Sequence, residues 1–131
     1  MRGSCLCGGV RYEISSDLHD MHFCHCGMCR KAHGAAFATY AGVDPRDLRF
    51  EQGEELVVRY RSSESALRSF CGRCGSNLTF EPTATPHEIW IAVGSFDSEP
   101  QERPAFHIFV ASKASWFEID DAMKQYPADN D

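Results

Sequence analysis

The stretch Cys5–Ile14, CLCGGVRYEI, places two thiols directly before a strand pattern. Cys5 and Cys7 lie on the same side of an extended segment, because side chains alternate along a strand. The two glycines that follow let the chain turn at once. Residues 10–14 then alternate apolar with charged or polar side chains, as in a half-buried β-strand. A pair of thiols at the start of a strand needs partners from elsewhere in the chain.

Five further cysteines form two clusters that can supply those partners. They are Cys24, Cys26 and Cys29 in CHCGMC, and Cys71 and Cys74 in CGRC. The two-residue gap in CGRC and the glycine after it are typical of a zinc knuckle, in which glycine permits a positive φ and backbone amides point at sulfur. Spacing therefore pairs the first two cysteines with this knuckle. Four thiolates would close a structural zinc site and tie the first strand to the middle of the domain.

That pairing leaves Cys24, Cys26 and Cys29 together on one short loop. Three thiolates leave one position of a tetrahedral zinc free, which is the arrangement of a catalytic site. Three sulfur donors also reduce the Lewis acidity of the metal, so the site suits an incoming thiol that it can hold as a thiolate. The sequence thus predicts an open zinc site with a thiol substrate. His25, next to Cys24, is expected to project away to a backbone or solvent group.

Three other interpretations of the cysteines remain open. A rival partition joins Cys26, Cys29, Cys71 and Cys74 in a conventional CxxC…CxxC zinc site. A disulfide framework is disfavoured by the odd count, by gaps of one and two residues, and by the lack of an apolar leader at the N-terminus. A thiol redox site would need a βαβ context, which this strand-rich chain lacks. Free thiols require a reducing compartment, so we expect a cytoplasmic protein.

Composition narrows the possible partners. The chain has 131 residues and a net charge of −6, from nineteen acidic and thirteen basic side chains. An acidic surface argues against nucleic-acid binding, which depends on clustered Lys and Arg. The longest uncharged stretch, residues 32–43, is shorter than the roughly 20 apolar residues of a membrane span. We expect one domain over residues 1–126, no membrane segment, and a frayed tail over residues 127–131.

Short runs rich in Val, Ile, Thr and aromatic residues predict about seven strands. They are Val10–Ile14, Phe37–Val43, Leu56–Tyr60, Leu67–Phe70, Asn77–Phe80, Glu88–Val93 and Phe106–Val110. Asp44 and Pro45 can begin one helical turn as cap and first helical residue, and residues 29–34 can form another. The prediction is a mainly β domain with little helix and cysteine-bearing loops.

A basic pair, Arg30 and Lys31, follows the last cysteine of the three-thiol loop. A chain turning around a metal would keep both at the rim of its open face, where they can bind the carboxylates of an anionic thiol. The alternative is an ordinary solvated surface pair. Arg68 and Lys113 are the next candidates for binding such carboxylates.

Three segments closely resemble the glutathione-dependent formaldehyde-activating enzyme family, which includes the centromere protein V proteins. They are residues 3–12 (GSCLCGGVRY), 24–37 (CHCGMCRKAHGAAF) and 70–76 (FCGRCGS). The similarity continues through residues 94–97 and 104–109 to Lys113 and Trp116, so it spans nearly the whole chain. We interpret Trp116 as a packing residue of the strand-rich core.

The resemblance implies a β-tent of folded antiparallel sheets stapled by a structural zinc on Cys5, Cys7, Cys71 and Cys74. It implies a second zinc on Cys24, Cys26 and Cys29. The family activity is the condensation of formaldehyde with glutathione to S-hydroxymethylglutathione, classed as a carbon–sulfur lyase in the reverse direction. The expected partners are therefore a small-molecule thiol and a small aldehyde. The alternative is a non-catalytic, zinc-stapled domain that binds a thiol or a protein. A chromatin adaptor would need a basic extension that is absent from this acidic sequence.

Overall fold

The computed structural model describes residues 1–130, so Asp131 at the end of the predicted tail lies outside it. Within these residues the chain forms eleven strands, one α-helix and four short 3-10 helices. The strands are Arg2–Ser4 (β1), Arg11–Ile14 (β2), His19–Cys24 (β3), Ala38–Val43 (β4), Leu48–Gln52 (β5), Val57–Ser63 (β6), Ala66–Cys71 (β7), Asn77–Pro82 (β8), Ile89–Ala92 (β9), Phe106–Ile108 (β10) and Lys124–Gln125 (β11). The α-helix, α1, spans Gly27–His33, and the 3-10 helices span Pro45–Asp47, Glu54–Leu56, Val93–Ser95 and Val110–Ser112.

The described strands form two open sheets. The smaller sheet has the order β1-β2-β5, and the larger has the order β11-β10-β3-β4-β9-β8-β7-β6. The predicted fold class, mainly β with folded sheets and little helix, is confirmed. The sheets depart from a wholly antiparallel pattern at β10, which runs parallel to both of its neighbours. β10 and β3 are far apart in sequence, so the long connection that parallel pairing requires is available.

Apolar side chains from both sheets share one core. Tyr12 and Ile14 of β2 pack with Val43 of β4 and Ile91 of β9, and all four are buried. The alternation in residues 10–14 produces this packing because every second side chain of β2 faces the larger sheet. Burial of one such aliphatic side chain contributes about 1.5–3 kcal/mol. The core therefore holds the two sheets together and fixes the position of the loops at their ends.

Helix α1 follows β3 after a two-residue connection and carries much of the candidate site. Cys26 is its N-cap, with the Sγ accepting a hydrogen bond from the backbone N–H of Cys29. Gly34 ends the helix in the left-handed conformation, with φ of 59°, and its N–H donates to the carbonyl of Arg30. A second, smaller apolar cluster contains Tyr40 of β4 and Ile108 of β10 and packs around the cysteines at the start of α1.

The C-terminal segment runs back along the domain. The carbonyls of Pro127 and Ala128, at the start of the predicted frayed tail, accept hydrogen bonds from the backbone N–H groups of Ala111 and Phe109. These two residues are therefore anchored to the domain. No helix among residues 1–130 is long and apolar enough to cross a membrane.

Candidate metal centres

Four cysteines from distant parts of the chain meet in one cluster, with their sulfur atoms all within 4.8 Å of one another. They are Cys5, Cys7, Cys71 and Cys74. The Sγ of Cys7 lies 3.5 Å from that of Cys5 and 3.9 Å from that of Cys71. Sulfurs on a tetrahedral zinc, with Zn–S near 2.3 Å, lie about 3.8 Å apart. The four sulfurs therefore fit a closed tetrahedral metal site.

Backbone and hydroxyl donors around this cluster favour thiolates. The N–H of Val10 lies 3.2 Å from the Sγ of Cys5, and the N–H of Arg73 lies 3.4 Å from the Sγ of Cys71. The hydroxyl and the N–H of Ser76 lower the pKa of Cys74 to about 5. The Ser76 Oγ also accepts a hydrogen bond from the N–H of Leu6 at 2.8 Å, which joins the two halves of the cluster. Thiolate is the form that binds zinc, so these donors suit a metal centre.

The turns of the four-thiol cluster depend on glycine. Gly8 and Gly75 have φ of 76° and 80°, in the left-handed region where residues with a Cβ are strained. Gly8 turns the chain away after Cys7, and Gly75 completes the knuckle after Cys74. The two pairs of thiols come from the end of β1 and from the turn between β7 and β8. The cluster thus connects the smaller sheet to the larger one.

The other three cysteines form a separate cluster at the junction of β3 and α1. Cys24 ends β3, Cys26 caps α1, and Cys29 lies in its first turn, with the three sulfurs within 4.8 Å of one another. Hydrogen bonds from Cys24 and then Cys29 lower the pKa of Cys26 to about 2. Three thiols in this arrangement fit a tetrahedral metal and leave its fourth position free. Cys26 and Cys29 are grouped with Cys24 here, not with the CGRC knuckle as in the rival partition.

A buried arginine contacts the three-thiol cluster. The Nη2 of Arg68 lies 3.5 Å from the Sγ of Cys29, and its Nη1 lies 3.1 Å from the hydroxyl of Tyr40. Arg68 is only 8% exposed. Burial is the largest influence and works against its charge, but the hydrogen bond to Cys29 and the charges of Tyr40, Cys29 and Cys26 together outweigh it and raise the pKa of Arg68. Two of its donors are therefore engaged inside the protein, away from the surface position that binding a substrate carboxylate would require.

His25, which lies between Cys24 and Cys26, is also buried. It belongs to a series of hydrogen-bonded side chains that the sequence did not indicate. Its Nε2 lies 2.8 Å from the Nδ1 of His107, whose Nε2 lies 3.0 Å from a carboxylate oxygen of Asp121. Burial, helped by the charges of His107, Lys113 and Arg30, lowers the pKa of His25 to about 4. His25 bonds a second imidazole, so the expectation of a backbone or solvent partner was wrong. It lies outside the three-thiol cluster, as expected.

A cleft of about 270 Å³ lies beside α1. Its lining consists of Gly27, Arg30, Lys31, Gly34, Ala35 and Trp116. Both members of the basic pair therefore border a concave surface. The Nε of Arg30 is buried and has no hydrogen-bond partner among residues 1–130. Trp116 is 71% exposed at the edge of this cleft, so the prediction of a core packing role was wrong. The Nζ of Lys113 is engaged by the carbonyls of Ala114 and Phe117.

A larger cavity of about 770 Å³ borders the four-thiol cluster. Cys5, Cys74 and Ser76 line one side, while His33 of α1 and Asp97 line others. Among the described residues its lining contains His33 but no Lys or Arg, in contrast to the cleft beside α1. An anionic ligand is therefore better matched by the smaller, basic cleft.

Known proteins share both the sequence and the fold. The family model of the glutathione-dependent formaldehyde-activating enzyme matches residues 1–112. A Halomonas elongata protein, provisionally named a glutathione-dependent formaldehyde-activating enzyme, is 31% identical over 128 residues, which cover 92% of this chain and 81% of the relative. An uncharacterized lyase of Schizosaccharomyces pombe is 30% identical over 132 residues, which cover 93% of each chain.

A crystal structure of a Rhodobacter sphaeroides protein matches this structure with a TM-score of 0.65 and 28% sequence identity. The match covers 79% of this chain and 98% of that one. The family match over residues 1–112 includes all seven cysteines of the two clusters. The chain therefore belongs to the glutathione-dependent formaldehyde-activating enzyme family.

Proposed function

We propose that this protein binds two zinc ions and adds glutathione to formaldehyde, giving S-hydroxymethylglutathione. The observation that carries the proposal is the three-thiol cluster of Cys24, Cys26 and Cys29, which fits a tetrahedral metal with one position free, while Arg30 and Lys31 of the same helix line a basic cleft. The names of the two relatives supply the activity and the lyase class. In the reverse direction the same reaction breaks a carbon–sulfur bond.

The two clusters have different roles in this proposal. Cys5, Cys7, Cys71 and Cys74 would hold a structural zinc with all four positions filled. Cys24, Cys26 and Cys29 would hold the second zinc. When bound there, zinc supplies a positive charge that lowers the pKa of a thiol and makes thiolate available at neutral pH.

The chain itself binds and orients glutathione. Arg30 and Lys31, which both line the cleft beside α1, bind its carboxylates. Trp116 closes the exposed edge of the cleft against the substrate. Arg30 and Lys31 belong to the same short helix as Cys29, and we infer that a molecule bound in the cleft extends its thiol around the helix toward the three cysteines.

The bond changes of the proposed reaction balance without a further reactant. The sulfur of glutathione attacks the carbonyl carbon of formaldehyde, and a carbon–sulfur bond forms. The carbon–oxygen double bond becomes a single bond, and its oxygen takes up one proton, which equals the proton that the thiol loses.

The thiols must stay reduced to bind metal, and all seven cysteines of the described chain are free, so we place the protein in the cytoplasm.

Cobalt substitution tests whether glutathione reaches the three-thiol site. Cobalt(II) bound by thiolates has absorption bands that respond to a change of ligand, so titration with glutathione should change the spectrum and reach saturation. S-methylglutathione keeps both carboxylates but lacks the thiol and serves as the control, which should leave the bands in place. A spectrum that does not respond to glutathione would contradict the proposal and favour a non-catalytic, zinc-stapled binding domain.

A further inference from the structure

Arg68 is a buried cation whose partners are a sulfur and a hydroxyl. Its guanidinium lies against the ring of Phe80, with the Cζ 4.9 Å from the ring centroid, and contacts Cys29 and Tyr40. Among residues 1–130 no carboxylate forms an ion pair with it. Buried charges in proteins are normally paired, because the loss of hydration is otherwise uncompensated. The partner that the structure offers to Arg68 is therefore the sulfur of Cys29, which is an anion when it is a metal ligand.

A closed ring of side chains holds this contact in place. Cys29 and His33 are four residues apart on α1 and so lie on the same face of the helix. Arg68 of β7 contacts Cys29, Tyr40 of β4 contacts Arg68, and the Nε2 of His33 lies 3.1 Å from the Tyr40 hydroxyl. Side chains of β7 and β4 thereby connect Cys29 and His33, which lie one turn apart on α1.

Donors and acceptors in the ring have one consistent assignment. Arg68 can only donate, so the Tyr40 oxygen accepts from it and the Tyr40 O–H donates to His33. Burial raises the pKa of Tyr40, which keeps this proton in place. Burial, with the charge of Arg68, lowers the pKa of His33, so its imidazole is neutral and Nε2 can accept. The ring thus orients the guanidinium toward Cys29 in a fixed geometry.

We propose that Arg68 is the positioning and charge-compensating residue of the three-cysteine site, holding the Cys29 thiolate and offsetting the excess negative charge of that site. Three thiolates around one Zn²⁺ carry a net charge of −1, and one buried guanidinium makes the assembly neutral. The inference rests on the proposed second zinc. Residues that hydrogen-bond a metal ligand in this way tune both metal affinity and the electron density on the ligand.

Arg68→Met tests this role through metal binding, independently of turnover. Loss of a residue that supports a ligand weakens metal affinity by about 10- to 100-fold. We expect that loss for the second equivalent of cobalt(II) or zinc, measured by competition with a chelator, while the first equivalent remains as tight as in the wild type. The sulfur-to-cobalt charge-transfer band should also move to longer wavelength, because the sulfur loses a hydrogen bond and a nearby positive charge.

Two further variants separate charge from folding. Arg68→Lys keeps the charge and should recover most of the affinity, and Arg68→Gln gives an uncharged polar form if the Met variant does not fold. Arg59→Met is the matched control, since Arg59 on β6 is exposed and paired with Glu81, so both equivalents should bind as in the wild type. Retention of the first metal equivalent reports that a variant is folded.

The outcomes distinguish this inference from the proposed function. If the wild type binds two equivalents and Arg68→Met binds both as tightly, with an unmoved charge-transfer band, the role of Arg68 is wrong and the zinc proposal stands. Equal losses in Arg68→Lys and Arg68→Met would also overturn the charge-compensating role. If the wild type binds one equivalent only, the second zinc is wrong and the inference fails with it.

Discussion

At the scale of single residues, the chain of Asp121, His107 and His25 shows how the loop of the three-thiol cluster is held. The carboxylate of Asp121 accepts from the Nε2–H of His107, whose Nδ1 can then accept from the Nε2–H of His25. The backbone N–H of His25 also donates to the carbonyl of Ile108 in β10. A residue between two cysteines is thereby fixed to a neighbouring strand by both its backbone and its side chain.

Asp121→Asn should make the protein less stable at neutral pH by an amount that disappears in acid. Burial works to raise the pKa of Asp121, but the hydrogen bonds from His107 and from the N–H of Met123, with the charges of His107 and His25, together outweigh it and lower that pKa. A carboxyl with a lowered folded-state pKa contributes stability above its unfolded pKa of about 3.9 and loses that contribution as the pH falls through the folded-state pKa. Urea unfolding of both proteins from neutral pH to about pH 3 measures the difference in free energy of unfolding. A difference that does not change with pH would contradict this account.

Some residue positions could be predicted from the sequence and others could not. Cysteine spacing favoured the grouping of thiols that the structure has, because near neighbours in a tight turn can share a site, but it left the rival partition open. The contact between Arg68 and Cys29 joins residues that are 39 apart, and no local pattern indicates it. Trp116 was misjudged because aromatic residues near strands are usually buried. The exposure of Trp116 depends on the path of the C-terminal segment, which the sequence pattern does not determine.

At the scale of elements, α1 and its N-cap carry two cysteines of the three-thiol cluster and the basic pair. Its first turn contains Cys26 and Cys29, while Arg30 and Lys31 follow in its last turn and border the cleft. The helix has seven residues, too short to be stable alone, so it depends on its caps and on packing against β4. The position of the basic pair is thus determined by the same cap that orients the cysteines.

Replacing both Arg30 and Lys31 by Ala should weaken glutathione binding on the order of 10-fold, or ~1.4 kcal/mol. The reason is the loss of two cations that bind the glutathione carboxylates, so the remaining affinity should also depend less on salt. Isothermal titration with glutathione measures the affinity, and metal analysis should show unchanged zinc. Arg59→Ala with Arg61→Ala removes the same charge from the exposed strand β6 and serves as the control. Unaltered affinity in the α1 variant would place the carboxylates elsewhere, for example in the 770 Å³ cavity.

All seven predicted strands occur, whereas four were not predicted. β3 was missed because His and Asp, which are poor strand formers, occupy its first half, and Asp20 has φ of 49° there. β5 was missed because its sequence, LRFEQ, has charged side chains on one face and few β-branched residues. β1 and β11 are too short for a periodic pattern. In each case the strand forms because a partner strand supplies the hydrogen bonds, which local propensity does not report.

At the scale of the whole molecule, the four-thiol cluster joins two sheets that also share an apolar core. Zinc binding at structural sites contributes ~10–16 kcal/mol to folding, comparable to the ~5–15 kcal/mol net stability of a domain. Cys71→Ser should therefore lower the melting temperature strongly or prevent folding. Cys26→Ser should leave most of the fold intact, because its cluster lies at one local junction. Thermal unfolding followed by circular dichroism compares the two variants. A larger loss of stability in Cys26→Ser than in Cys71→Ser would mean that the structural and open sites are exchanged.

We propose that the three-thiol site adds glutathione to formaldehyde. The most direct measurement is the rate of S-hydroxymethylglutathione formation with ¹³C-labelled formaldehyde, followed by NMR exchange spectroscopy at equilibrium, with and without protein. The uncatalysed addition proceeds by itself, so the protein must raise the exchange rate above that background. We predict a rate that increases in proportion to zinc-loaded protein and returns to the background rate in Cys26→Ser. An exchange rate that stays at background with the fully zinc-loaded wild type would contradict the account.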